Sequence, residues 1–274
     1  MICFVHIERA GGTTLHEIFR TNFPSYLMIT PCKPWTNEDS NVFTKDEFRA
    51  IKRTLPFTKG IGGHTTRSYL GYEEFCNDKI QYITYLRDPV ERYISHYFYQ
   101  KFKKNIDWTF ESFMAELRFD NFMTKRIAGT FNLEMAIENL ETQFSFVGLT
   151  DEFDLSLLFM REELGLKDFS CYYKKMNSGE QYKKNENINE IKATYLDEII
   201  EHNRLDIELY LYARSNIFPR YVEKNPHIQN RAVNMFRDDN KEFEYNLWKR
   251  RALHLYRSYA CKPILTRLYR KYHP

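Results

Sequence analysis

ICFVHIERAGGTTL, residues 2–15, carries the reading of the fold. Ile2 to Ile7 is a β-branched and aromatic run of strand length. Thr13 or Thr14 can cap a helix that follows, with Leu15, Ile18 and Phe19 on one face. A strand that ends in a glycine-rich turn and starts a helix aims several backbone N–H groups and the helix dipole at one point, which suits an anion. Gly11 and Gly12 permit positive φ angles and close approach; Thr13 and Thr14 add hydroxyls, and Arg9 is the cation of the turn. The GxxxxGK[ST] pattern of nucleotide-hydrolysing loops is absent, so its lysine is missing too. The same residues also suit an ordinary strand-to-helix turn.

Working outward, TKDEFRAIKRT (44–54) predicts a short amphipathic helix, and FTKGIGGH a short strand or turn that delivers His64 at its end. IQYITYL (80–86) is apolar enough for a central strand. It runs into RDPVERYISHYFYQ, where Asp88 is a natural N-cap and Pro89 a natural first helical residue. Val90, Tyr93, Ile94, Tyr97 and Phe98 follow helical spacing and predict a packed face. Helices are expected near 107–118 and 120–128, a strand at FSFVGL (144–149), and a helix in DEFDLSLLFMREEL. Residues 30–40 and the lysine-bearing stretch 170–190 read as loops, the second able to cover a ligand. One long helix, 191–215, is expected before Pro219 breaks the pattern.

Strands alternating with helices argue for an α/β protein: a three-layer, P-loop-like fold with a central parallel sheet. Residues 1–217 form the expected main domain and 218–274 a basic, mainly helical C-terminal extension.

Arg87 ends a strand, and Ser95 lies two turns into the helix capped by Asp88, on the side of the helix start. Together they can grip one phosphate, arginine by a forked contact and serine by its hydroxyl. The alternative is a surface pair between Arg87 and Asp88 or Glu91. HIERAGGTTL with TYLRDPVERYISHY resembles the carbohydrate sulfotransferases, nearest the heparan sulfate 2-O- and 6-O-sulfotransferases and their bacterial relatives. FVGLTDEFDLSLLFM (146–160) and LDIELYLYA (205–213) are similar to later segments of these enzymes, so the likeness spans about residues 2–217.

The resemblance implies an enzyme that moves sulfonate from 3′-phosphoadenosine 5′-phosphosulfate (PAPS) to a carbohydrate hydroxyl, with no metal required. Arg9, Ala10, Gly11, Gly12, Thr13 and Thr14 would hold the 5′-phosphosulfate, and Arg87 with Ser95 the 3′-phosphate. The family carries a catalytic histidine between these motifs, which makes His64 the candidate general base; a turn histidine that only caps is the alternative. Glu8 is a second candidate base or a surface carboxylate. Arg9-Ala10 stands where the family commonly has Lys-Thr: the cation is retained, but a guanidinium does not readily give up a proton. Arg92 reads either as a cofactor contact or as a solvated partner of Asp88. Met176-Asn177-Ser178 is a candidate adenine cover. His6 and His16 read as structural. Two other readings stay open: a non-catalytic glycan- or nucleotide-binding protein on the same scaffold, and an ATP-dependent small-molecule kinase.

Composition bounds the partners. Of 40 Lys and Arg against 37 Asp and Glu, eight basic residues and no acidic one lie in 249–274, so the rest carries a net −5. That balance argues against nucleic-acid binding. The tail reads either as a basic arm for an anionic membrane or acidic glycan, or as helices docked on the core. Five scattered cysteines without a CxxC pair suggest reduced thiols, and no apolar run approaches the roughly 18 residues of a membrane span. A soluble, cytoplasmic protein is the expectation.

Overall fold

The computed structural model describes residues 1–29, 42–76, 79–174, 188–228 and 230–272. β1 (Ile2–Val5) leads through the glycine turn into α1 (Gly12–Asn22), which Pro24 prevents from continuing. β2 (Tyr26–Ile29), α2 (Lys45–Thr54), β3 (Gly60–Gly63) and β4 (Gln81–Leu86) follow. α3 (Pro89–Phe98) ends in a wider π-type turn, and two short helices come next, α4 (Phe110–Met114) and α5 (Phe122–Ala128). α6 (Leu133–Thr142), β5 (Phe144–Leu149) and α7 (Phe153–Glu163) complete the sheet. α8 (Ile188–His202), α9 (Arg204–Tyr212) and α10 (Phe218–Lys224) then precede α11 (Asn230–Glu242), α12 (Leu247–Tyr256) and α13 (Lys262–Tyr272).

Among the described residues the strands form one sheet, all parallel, in the order β2-β3-β1-β4-β5. The protein is therefore α/β with a central parallel sheet. β1 alternates its side chains between two cores: Ile2 and Phe4 face one, Cys3 and Val5 the other. The first core takes Leu15, Ile18 and Phe19 of α1 with the apolar sides of α5, α6, α7 and α9. The second takes Phe48 and Ile51 of α2 with Cys261, Leu265 and Leu268 near the C-terminus. A third cluster holds Tyr93, Ile94 and Tyr97 of α3 against Phe110 and Phe113. Each fully buried Leu or Phe here contributes roughly 1.5–3 kcal/mol by leaving water.

Local chemistry sets the ends that matter. Thr44 and Glu47 form a reciprocal capping box at α2, with Thr44 N donating to Glu47 Oε2 at 2.8 Å. Asp88 Oδ1 accepts the Glu91 amide at 2.9 Å, and Pro89 occupies the first turn of α3, where no N–H is needed.

The single helix expected at 191–215 is interrupted by non-helical backbone at Tyr195 and again at Asn203, whose side chain accepts from Arg92 and donates to the Ile199 carbonyl. Pro219 does not stop the chain's helical course; it sits in the first turn of α10. The C-terminal helices lie on the body: Val233 and Phe236 enter the first core and Cys261 the second. No helix among the described residues is long and apolar enough to cross a membrane. Cys3, Cys76, Cys171 and Cys261 are free thiols.

Candidate active site

The turns after β1, β3 and β4 lie at the same end of a parallel sheet, the end where such folds bind ligands. In the first turn Arg9 has φ 68° and Gly11 φ 74°; Gly11 caps α1 without a side-chain acceptor. Gly12 is required by contact: a Cβ there would stand 1.8 Å from His6 Nε2. Ala10 and Thr14 are buried and Thr13 is exposed, so the two threonines differ in what they can offer a ligand.

The two sequence motifs meet. Arg9 Nε donates to Ser95 Oγ at 3.0 Å, across 86 residues of chain. Arg87 Nη1 donates to the Arg9 carbonyl at 3.1 Å, and Arg87 also lies 3.6 Å from Glu91, the surface pairing that the sequence allowed. Burial pushes the Arg87 guanidinium below its usual range, with Glu91 opposing. The Arg9 guanidinium also stacks over Tyr99, 5.1 Å from the ring centre. Arg9, Arg87 and Ser95 thus form one cationic, hydroxyl-bearing cluster at the turn, while Gly11, Gly12 and Thr13 lead from it into α1.

His64 leaves the end of β3 and is held from two sides. Its ring lies 3.9 Å from the His6 ring centre, and Nδ1 faces the His6 carbonyl at 3.3 Å and Glu8 Oε1 at 3.4 Å. Both neighbours accept, so Nδ1 carries a proton. The side chain remains partly exposed, at 28%. The Arg67 guanidinium, buried and pushed down to about 10 by that burial, donates to the His64 carbonyl at 2.6 Å and fixes the backbone.

Glu8 is not a surface carboxylate. It is 8% exposed and pairs with Arg126, whose Nη2 reaches Oε1 at 3.0 Å and Nε reaches Oε2 at 3.4 Å. Burial alone would raise its pKa, but Arg126 and His64 outweigh it and hold the carboxyl well below the usual range. Glu8 therefore orients His64 as an anion, in the way a carboxylate orients the histidine of a hydrolase triad.

Behind the site runs a buried hydrogen-bonded chain. Tyr26 OH lies 2.7 Å from His16 Nδ1, and His16 Nε2 lies 3.0 Å from His6 Nδ1. Burial raises Tyr26 and keeps its hydroxyl protonated, and the direction of each bond in the chain follows the tautomers of His16 and His6. Burial, with His64 nearby, also pushes His6 and His16 well below the usual histidine range and keeps both neutral. Of the two, His6 packs against the His64 ring.

Arg92 reaches neither solvent nor Asp88's side chain. It is fully buried, donating to Asn203 Oδ1 at 3.3 Å and the Phe119 carbonyl at 3.4 Å, with Asp206 at 4.0 Å. Asp206 also accepts the Met123 and Thr124 amides at 2.9 and 2.7 Å and so pins the start of α5, the helix that carries Arg126 to Glu8. Sequence reading misses Arg126, Arg67 and Asp206. Each acts through a partner far along the chain, and no local spacing marks them. Met176, Asn177 and Ser178 lie outside the described residues. Among the described residues no group of three or more His, Cys, Asp or Glu side chains is placed to hold a metal.

No protein-family model matches the chain, and no curated protein matches it.

Proposed function

We propose that the chain is a PAPS-dependent O-sulfotransferase acting on a carbohydrate hydroxyl, on a P-loop-like three-layer scaffold. The observation that carries this reading is the meeting of Arg9, Arg87 and Ser95, from motifs some eighty residues apart, beside a glycine turn and next to Glu8, which faces His64. The strand order β2-β3-β1-β4-β5, with the turn after the central strand, supports it.

In this reading residues 9–14 receive the 5′-phosphosulfate, and Arg87 with Ser95 the 3′-phosphate. His64 Nε2 takes the proton from the acceptor hydroxyl as its oxygen attacks sulfur in line. The S–O bond to the 5′-phosphate breaks, and adenosine 3′,5′-bisphosphate leaves with the negative charge. Arg9 balances that charge without protonating the bridging oxygen, since a guanidinium holds its proton. Positioning and preorganised cations supply most of the acceleration, as in phosphoryl transfer.

The test is transfer of labelled sulfonate from PAPS to a mixed glycan pool by the wild type and by His64→Gln. Incorporation that His64→Gln lowers at least a hundredfold supports the reading. Binding of adenosine 3′,5′-bisphosphate with no transfer to any acceptor would favour a non-catalytic binder, the reading that Arg9-Ala10 in place of Lys-Thr keeps open. Stabilisation by Mg-ATP alone would favour a kinase.

The basic tail we assign to an anionic membrane surface. Trp248 and Tyr259 are 80% and 79% exposed, and Arg251 lies over the Trp248 ring. Trp248→Ser with Tyr259→Ser should weaken binding to phosphatidylserine vesicles severalfold; unchanged binding would leave these helices a structural role only. Free thiols at the described cysteines fit a reducing compartment such as the cytoplasm.

A further inference from the structure

A cavity of about 700 Å³ lies at the outer edge of the sheet, between β2, α1, α2 and the last two helices. It shares no lining residue with the turn at residues 9–14, His64, Arg87 or Ser95. Its walls are apolar along Leu27, Ile29, Ile51, Leu265 and Leu268.

Its lining includes four cations, Arg20, Arg250, Arg257 and Lys262. Both carboxylates in the wall have partners, one of them within the cationic lining. Glu17 pairs with Arg250 at 3.1 Å, and Glu47 caps α2 through Thr44. Arg257 donates to the Arg20 carbonyl, and Arg20 reaches the Met28 sulfur at 3.7 Å. An acceptor with negative charge would pair with the cationic lining, and the apolar walls would take a hydrocarbon body. A volume of this size is that of a small-molecule site.

We propose that this cavity binds a single-chain anionic amphiphile, its head group on Arg20 and Arg257 and its chain along the wall of β2 and the final helix. A fatty carboxylate and a monoalkyl phosphate share this chemistry. The site is independent of the sulfonate-transfer reading.

Isothermal titration of the full chain with dodecanoate, dodecyl phosphate and uncharged dodecanol, each below its micellar concentration, tests it. One saturable site for at least one of the anions is expected, with dodecanol at least tenfold weaker. The tighter of the two anions identifies the head group. Arg257→Gln should weaken the anion at least tenfold, and Leu265→Trp, which fills the apolar wall, should abolish binding in a chain with an unchanged melting profile. Absence of saturable binding to the wild type would overturn the proposal. So would equal affinity for dodecanol, or binding that neither substitution changes.

Discussion

In the proposed transfer, His64 would act as the general base with Glu8 holding its Nδ1 side. His64→Gln should lower turnover by roughly 10²–10⁴-fold, the usual contribution of a positioned base, with bisphosphate affinity changed little. A fall in affinity that matches the fall in turnover would make His64 a binding residue instead. Glu8→Gln leaves Arg126 charged and buried, so it should also cost on the order of 3–5 kcal/mol of stability by chemical denaturation. A stability loss near zero would show that Arg126 finds another acceptor. Arg9→Ala should lower turnover at least tenfold, and a rate near that of the wild type would remove Arg9 from the active site.

At the scale of elements, the turn before α1 depends on packing as much as on φ. Gly12→Ala drives a Cβ into the His6 ring and so presses on the His64 stack behind it. It should destabilise the chain by about 1–3 kcal/mol, the usual cost of overpacking, and lower turnover beyond that. Normal stability and turnover would mean that His6 moves aside freely. β1, β4 and the start of α3 were legible because their signals are local: an apolar run, then Asp-Pro at a helix start. β2 was not, since four residues after a proline carry too short a pattern. The break at Asn203 was not legible either. Asn203 there accepts from Arg92, 111 residues away in sequence, and helical spacing continues across it. Counting turns along α3 put Ser95 on the side of Arg87; the bond from Arg9 to Ser95 was not legible, and neither was the burial of Glu8 and Arg92, whose partners lie on α5 and α9.

For the whole molecule, three buried histidines make folding sensitive to acid. Burial is the first cause that lowers His6, His16 and His96, so the unfolded chain takes up protons that the folded chain refuses. Stability should be level above the ordinary histidine value near 6.5 and fall below it, by up to about 1.4 kcal/mol per pH unit for each histidine. The depressed Glu8 carboxyl adds in the same direction at lower pH, losing its contribution as pH falls through its folded value. Urea midpoints at pH 7.5 and 5.5 check this, and equal midpoints would mean that these rings titrate in the folded state. The central claim is that the turn of residues 9–14 and the Arg87–Ser95 pair form one site for a 3′-phosphorylated nucleotide. Isothermal titration with adenosine 3′,5′-bisphosphate tests it most directly, beside adenosine 5′-monophosphate and Mg-ATP. The account predicts a single site for the bisphosphate, weakened at least tenfold when the 3′-phosphate is absent or Arg87 is replaced by alanine. Equal affinity for the monophosphate, or binding of Mg-ATP alone, would contradict it.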